Sequence, residues 1–166
     1  MLDQLLKLAD GPLQEMLSGM NQDQPNQSVA SLKDSIFSSI QTQISSGNLD
    51  AVKEMFSGSE TSPNAPVIQN LQGGVADDLM GKLGISKEQA MSIAAAALPM
   101  IMNFFNNRVN NAPQDNGDIM SSIVDSLQGK SGKINTGDLM GSLLGGGKNG
   151  GMDLGGLMNM GKGLFN

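Results

Sequence analysis

The side chains able to do chemistry in this chain are carboxylates, lysines, one arginine and hydroxyls, because its 166 residues include no His, Cys, Tyr or Trp. Their absence removes the commonest general base, the Ser–His and Cys–His nucleophiles, and the imidazole and thiolate ligands of most transition-metal sites. The one adjacent acidic pair, Asp77 and Asp78, lies on a predicted helix, where neighbouring side chains point about 100° apart. We therefore predict that the chain is not an enzyme and has no catalytic residue, cofactor or metal ligand.

Two short motifs resemble known binding loops only in part. In the Asp-Asn-Gly-Asp stretch at residues 115–118, aligning Gly117 with the invariant glycine of a calcium loop places Ala112 at the first ligand position, and no Glu closes the loop. The Gly-Lys-Ser stretch at residues 129–131 matches the end of a P-loop, but Val124 occupies the first glycine position. We interpret both motifs as turns.

The charge balance restricts the partners and the compartment. A net charge of −6, with no two basic residues adjacent, disfavours binding to nucleic acid and to anionic lipid.

The longest apolar run covers the ten residues 93–102, whereas a membrane-spanning helix needs about 20. The absence of Cys is consistent with a reducing compartment, and residues 1–13 lack the pattern of a signal peptide. We expect a cytoplasmic protein.

The Gly- and Met-rich residues 129–166 are the strongest candidate for an interaction surface. Glycines four apart at 141/145 and 151/155 allow close helix approach, and the 13 methionines of the chain suit adaptable contacts. Three arrangements stay open, namely packing on the same domain, docking on another copy, and lying on a membrane surface. The last is disfavoured because its polar face has few lysines. The predicted self-association face comprises Leu139, Met140, Leu143, Leu144, Leu154, Leu157, Met158, Leu164 and Phe165.

Apolar residues recur at helical spacing along the chain, and no segment shows the pattern of a paired strand. Ser28 and Asp118 are predicted to cap two of the helices. Residues 58–65 and 112–117 are predicted linkers. The asparagines between residues 103 and 111 are predicted to fray the end of one helix. The predicted helices cover residues 2–9, 13–17, 28–46, 49–56, 67–83, 88–108 and 118–127.

Residues 66–108 form the most apolar part of the chain and are predicted to centre the core. Gly84 ends the first of its two helices, and Ser86 begins the second with a capping box. The second helix is apolar on most sides, and Pro99 removes one backbone hydrogen bond and is predicted to kink it. Gly73 and Gly74, inside the first helix, are predicted to allow close approach of another backbone.

This segment resembles the YidB-like family of small bacterial proteins. The resemblance is carried by the Leu-Gly-Ile-Ser turn at residues 83–86, by Ala90, by Leu98-Pro99 with Ile101, and by Phe104-Phe105. The Gly-Lys-Gly-Leu-Phe stretch at residues 161–165 resembles the C-terminus of that family. The resemblance covers about a third of the chain and implies an all-α bundle of cytosolic origin. It implies no reaction.

We therefore predict an all-α fold. It consists of about seven or eight short helices around a Pro-kinked central helix, with a core domain at residues 1–128 and a helical extension at residues 129–166. The predicted function is a non-catalytic structural module that forms a homo-oligomer. One alternative is an adaptor that binds a peptide or lipid tail in an apolar groove shaped by Pro99 and Gly73–Gly74 and lined by Met80, Met91, Met100 and Met102. A second alternative is peripheral membrane association through the tail.

Overall fold

The computed structural model describes residues 2–20 and 25–145, and within these ranges all regular structure is helical. A single 3-10 turn, Lys7–Ala9, joins the first two α-helices. The predicted all-α class is confirmed. The α-helices are α1 (Leu2–Leu6), α2 (Asp10–Gly19), α3 (Pro25–Ser45), α4 (Asp50–Met55), α5 (Pro66–Leu83), α6 (Lys87–Asn111), α7 (Asn116–Leu127) and α8 (Thr136–Gly145).

The longest helix, α6, is central to the bundle as predicted. It contacts α2, α4, α5, α7 and α8, and nearly all its apolar side chains are buried or half-buried. The rings of Phe105 in α6 and Phe56 after α4 lie 5.4 Å apart in the core. Helix α3 packs mainly against α5 and α2 rather than against α6. Helix α5 therefore lies between the central helix and α3.

The turn between α5 and α6 has the predicted geometry. Gly84 adopts a left-handed φ of 65°, which is accessible to glycine at little cost, and its amide donates to the carbonyl of Met80. Ser86 then caps α6. Its hydroxyl accepts from the Gln89 amide at 3.2 Å, and the Gln89 side chain accepts from the Ser86 amide at 3.2 Å. This confirms the capping box, which fixes where the central helix begins.

Two predicted helix caps are wrong, and the helix predicted at residues 13–17 begins earlier, at Asp10. Helix α3 begins at Pro25, three residues before the expected cap at Ser28, and Ser28 is buried inside the helix. Helix α7 is capped by Asp115 rather than Asp118, because the Asp115 carboxylate accepts from the amide of Gly117 at 2.9 Å. Asp118 lies in the first turn of α7 and forms an ion pair with Lys133.

Helix α6 runs without interruption through Pro99, which is buried. The kink at Pro99 stays a prediction. The close backbone approach predicted at the two glycines of α5 is wrong at Gly73, where an added Cβ would meet nothing within 4 Å. At Gly74 the neighbouring atom is the hydroxyl of Ser39, which would lie 3.3 Å from such a Cβ. Gly74 therefore lies against a side chain of α3, and neither glycine forms a notch for another backbone.

The core continues beyond the domain boundary predicted at residue 128. Leu139 and Leu143 of α8 are fully buried within the single cluster of core residues, and α8 contacts α6 and α7. Residues 129–145 therefore belong to the same bundle, and within them the predicted helical extension is present as α8. In the part of the chain that the structure describes, no helix is long and apolar enough to cross a membrane.

Candidate functional site

A row of three asparagines on α6 forms a hydrogen-bonded network with a distant segment of the chain. Asn103, Asn106 and Asn110 are spaced three and four residues apart, which places them on one face of the helix. All three bind the segment that follows α4, at residues 57–61. We call these three residues the asparagine clasp. Its partners lie 42 to 52 positions away in sequence, so only the tertiary fold brings them together.

The first two residues of the clasp bind both ends of this segment. The Asn103 amide accepts from the backbone N–H of Thr61 at 2.6 Å and donates to the Thr61 carbonyl at 3.1 Å. Asn106, only 1% exposed, accepts from the amide of Gly58 at 2.9 Å and donates to the Thr61 hydroxyl at 3.2 Å. Such pairing satisfies buried polar groups on both sides, which makes the contact specific.

The third residue of the clasp closes the segment at Gly58. Asn110 donates to the Gly58 carbonyl at 2.6 Å and accepts from the Asn116 side chain at 2.7 Å. Gly58 has a φ of 77°, and a Cβ at this position would lie 2.6 Å from the Asn110 side-chain oxygen. Both the conformation and the space therefore require glycine here.

The clasp corrects two predictions. Residues 58–65 do not form a free linker, since Thr61 is fully buried and the clasp binds the backbone on either side of it. The asparagines do not fray α6, which continues to Asn111. Low helix propensity suggested fraying, but the tertiary hydrogen bonds outweigh it. The signal that could have revealed the clasp is the helical spacing of Asn103, Asn106 and Asn110.

Two adjoining surface grooves, of about 360 and 470 Å³, lie beside the clasp and share Asn110. We call them together the amide groove. No aromatic, lysine or arginine side chain is among the described residues that line them. The first is lined by Gly58, Glu60, Asn103, Asn106, Asn107 and Asn110, and the second by Asn110, Ala112, Pro113, Gln114, Asp115 and Asn116.

Each of the two grooves contains one carboxylate, Glu60 in the first and Asp115 in the second. The second groove also lies at the C-terminal end of α6, where carbonyl groups without intrahelical donors create partial negative charge. The nearby Arg108 directs its guanidinium to α8 instead, donating to the carbonyls of Leu143 and Leu144 at 3.4 Å. The same groove also lies at the N-terminal end of α7, where backbone N–H groups without intrahelical acceptors create partial positive charge, so the helix ends do not give it one sign.

The predicted self-association face is divided by the structure. Leu139 and Leu143 are buried in the core of the same chain, so their inclusion in a surface face is wrong. Met140 is half-buried, whereas Leu144 is 51% exposed and is the one large apolar side chain that the described residues expose. The other predicted members lie outside the described residues, namely Leu154, Leu157, Met158, Leu164 and Phe165.

The residues predicted to line an apolar cleft for an adaptor do not line the two grooves described above. Met102, one of its predicted methionines, is fully buried, and Pro99 is buried as well. Met80, Met91 and Met100 are half-buried and pack against the core. These side chains stabilise the bundle, which is the usual task of methionine at irregular core positions.

Ion pairs of the described residues lie mainly at the surface. Lys133 contacts Asp118 at 2.8 Å, and this hydrogen bond, with the charge of the same carboxylate, raises the pKa of the lysine. Within residues 2–20 and 25–145, no three His, Cys, Asp or Glu side chains gather as a metal site would require.

Comparison of the chain with family models, curated proteins and solved structures finds no match, so the resemblance to the YidB-like family stays a prediction.

Proposed function

We propose that this chain is a cytoplasmic, non-catalytic interaction module that self-associates through the exposed face of α8 and the residues that follow it. The observation that carries the proposal is the exposure of Leu144, next to the start of residues 146–166. Exposed apolar side chains favour association when further apolar residues can extend the surface. We also propose that it belongs to the YidB-like family, on the turn at residues 83–86 and the Leu98-Pro99 motif.

Two faces of α8 have different environments. Leu139 and Leu143, four residues apart, hold the helix against the core. Gly141 lies roughly on the opposite side, and an added Cβ there would meet nothing within 4 Å. Leu144 is adjacent to this glycine on the helix surface. The open side of α8 is therefore a low-relief surface with one exposed leucine, which suits close packing with another helix.

Arg108 stabilises the position of this surface. Its guanidinium lies 5.1 Å from the centre of the Phe104 ring and donates to the last carbonyls of α8. A cation at a helix C-terminus compensates the partial negative charge there. The contact links the end of α8, which carries the exposed face, to the central helix.

The apolar content of the following segment supports a second copy as the partner. Its sequence places Leu154, Leu157 and Met158 at helical spacing, with Leu164 and Phe165 beyond them. Its basic residues are Lys148 and Lys162, too few for a lipid-binding face. A surface made of leucine, methionine and glycine is suited to pairing with an identical surface.

Light scattering on the purified full-length chain over a wide concentration range tests the proposal. We expect a mass above that of the monomer, and a lower mass for Leu144→Asp and for a chain ending at residue 145. Gln41→Asp, which adds the same charge at an exposed position of α3, is the matched control. A truncation at residue 128 would be unsuitable, because it removes Leu139 and Leu143 from the core. A monomeric full-length chain at every concentration would refute self-association.

A further inference from the structure

We propose that Asn116 is a site of spontaneous deamidation, which is prevented while Asn110 of the clasp binds it and which then breaks the link between α7 and the clasp. The proposal does not depend on self-association. Asn116 is the one asparagine of the described residues that precedes a glycine. Since glycine has no Cβ, the backbone nitrogen after this asparagine can approach its side-chain carbonyl carbon with little hindrance.

The reaction at this pair needs no reagent other than water, because asparagine is a thermolabile side chain. The backbone nitrogen of Gly117 attacks the side-chain carbonyl carbon of Asn116 and forms a C–N bond. The side-chain NH₂ takes the proton from that nitrogen and leaves as ammonia. Water then opens the cyclic imide at either carbonyl, which gives aspartate or isoaspartate. Gly117 is exposed and Asn116 is half-buried, so water reaches the pair.

The folded chain holds both reacting groups away from each other. The Asn116 NH₂ donates to the Asn110 side-chain oxygen at 2.7 Å, and a Cβ on Gly58 would overlap the same nitrogen. The attacking group is also engaged, because the Gly117 N–H donates to the Asp115 carboxylate at 2.9 Å. Local opening must therefore come before the reaction. Helix α7 begins at Asn116, and helix ends open more readily than helix interiors.

The product cannot restore the contact with the clasp. Asn110 uses its NH₂ for the Gly58 carbonyl at 2.6 Å and presents its oxygen to position 116. A carboxylate at position 116 has acceptors but no donor, so two oxygens would face each other. Rotation of the Asn110 amide by half a turn would only transfer the mismatch to the Gly58 carbonyl. Deamidation therefore removes the hydrogen bond that joins the start of α7 to α6.

Mass spectrometry of the full-length chain, aged at neutral pH, tests the site. Digestion in heavy-oxygen water marks the deamidation that digestion itself causes. We expect Asn116 to react more slowly in native buffer than in urea. Asn110→Ala should speed the native reaction by about five-fold, the change in an opening equilibrium when one hydrogen bond is lost, and should have no effect in urea. Asn107→Ala, at an exposed position of α6, is the matched control and should leave both rates unchanged.

Gly117→Ala tests the chemical route, because its Cβ hinders the attacking nitrogen and should slow the reaction in urea. An unchanged rate in urea for this variant would overturn the cyclic route, and absence of product at Asn116 in urea would overturn the site. Equal rates for the wild type in native buffer and in urea would overturn the protection by the fold. So would equal native rates for Asn110→Ala and Asn107→Ala. Circular dichroism verifies that the variants are folded in native buffer.

A cycle of urea midpoints tests the effect of the product on the clasp. Asn116→Asp introduces the carboxylate directly, and its influence on the dipole of α7 is the same whether or not Asn110 is present. We expect the midpoint change caused by Asn116→Asp to be less favourable in the wild type than in Asn110→Ala, by about 0.5 M. Equal changes in the two backgrounds would show that the product does not act on the clasp.

Discussion

Replacement of Asn106 by alanine should destabilise the whole bundle, although the residue lies outside the apolar core. The side chain is 1% exposed and bonds to the Gly58 amide at 2.9 Å and to the Thr61 hydroxyl at 3.2 Å. Its loss leaves a donor and a hydroxyl without partners, each costing about 1–2 kcal/mol. We therefore expect a loss of about 2–4 kcal/mol, against a total stability of about 5–15 kcal/mol for a typical domain.

Urea unfolding followed by circular dichroism measures this loss, since a chain without Trp or Tyr lacks the usual fluorescence probe. With an m value of about 2 kcal/mol/M, the midpoint should fall by about 1–2 M. Asn107→Ala, at an exposed neighbouring position of the same helix, should change stability by less than about 0.5 kcal/mol. A midpoint for Asn106→Ala that equals that of Asn107→Ala would refute the assignment of the clasp.

A double-mutant cycle separates the clasp from a general packing effect. Thr61→Val removes the buried hydroxyl that Asn106 contacts and retains the shape of the side chain. If the two residues act together, the cycle with Asn106→Ala should give a coupling of about 0.5–2 kcal/mol. Additive losses would show that the two side chains contribute independently, contrary to the hydrogen bond that the structure places between them.

Two further predictions concern the turn before α6 and the surface ion pair near α7. Gly84→Ala should cost about 1 kcal/mol in urea unfolding, because the φ of 65° disfavours a Cβ while nothing else lies within 4 Å; a neutral result would contradict the assigned turn. The pKa of Lys133 should lie above its ordinary 10.5 when titrated by NMR, and Asp118→Asn should return it toward that value. Because the folded-state pKa is raised, the stabilisation from this lysine is present below pH 10.5 and is lost as the pH rises through the raised pKa.

The helical pattern was predictable because it depends on local spacing. The Gly84 stop and the Ser86–Gln89 capping box involve atoms within four residues of each other, so their partners can be identified along the chain. The central position of α6 followed from its apolar residues on most sides, since such a helix is stable only when other helices cover it. The N-cap of α7 was missed by three residues because both Asp115 and Asp118 can serve as caps.

The candidate site could not be predicted in the same way, because its contacts join distant parts of the chain. The same asparagines that weaken a helix by propensity stabilise this one by binding residues 57–61. The leucines of α8 provide a second example. Their spacing predicts an apolar face, but only packing decides that Leu143 is covered by its own chain and Leu144 is exposed.

The sequence by itself determined the all-α class, the central helix, the turn at Gly84 and the lack of His and Cys chemistry. These features depend on composition and on the 3.6-residue period, which are properties of neighbouring residues. The tertiary structure decided the role of the clasp, the formation of the amide groove and the division of α8 into buried and open faces. Those features depend on which helices meet, and a hydrogen bond or a covered side chain requires a partner supplied from elsewhere in the chain.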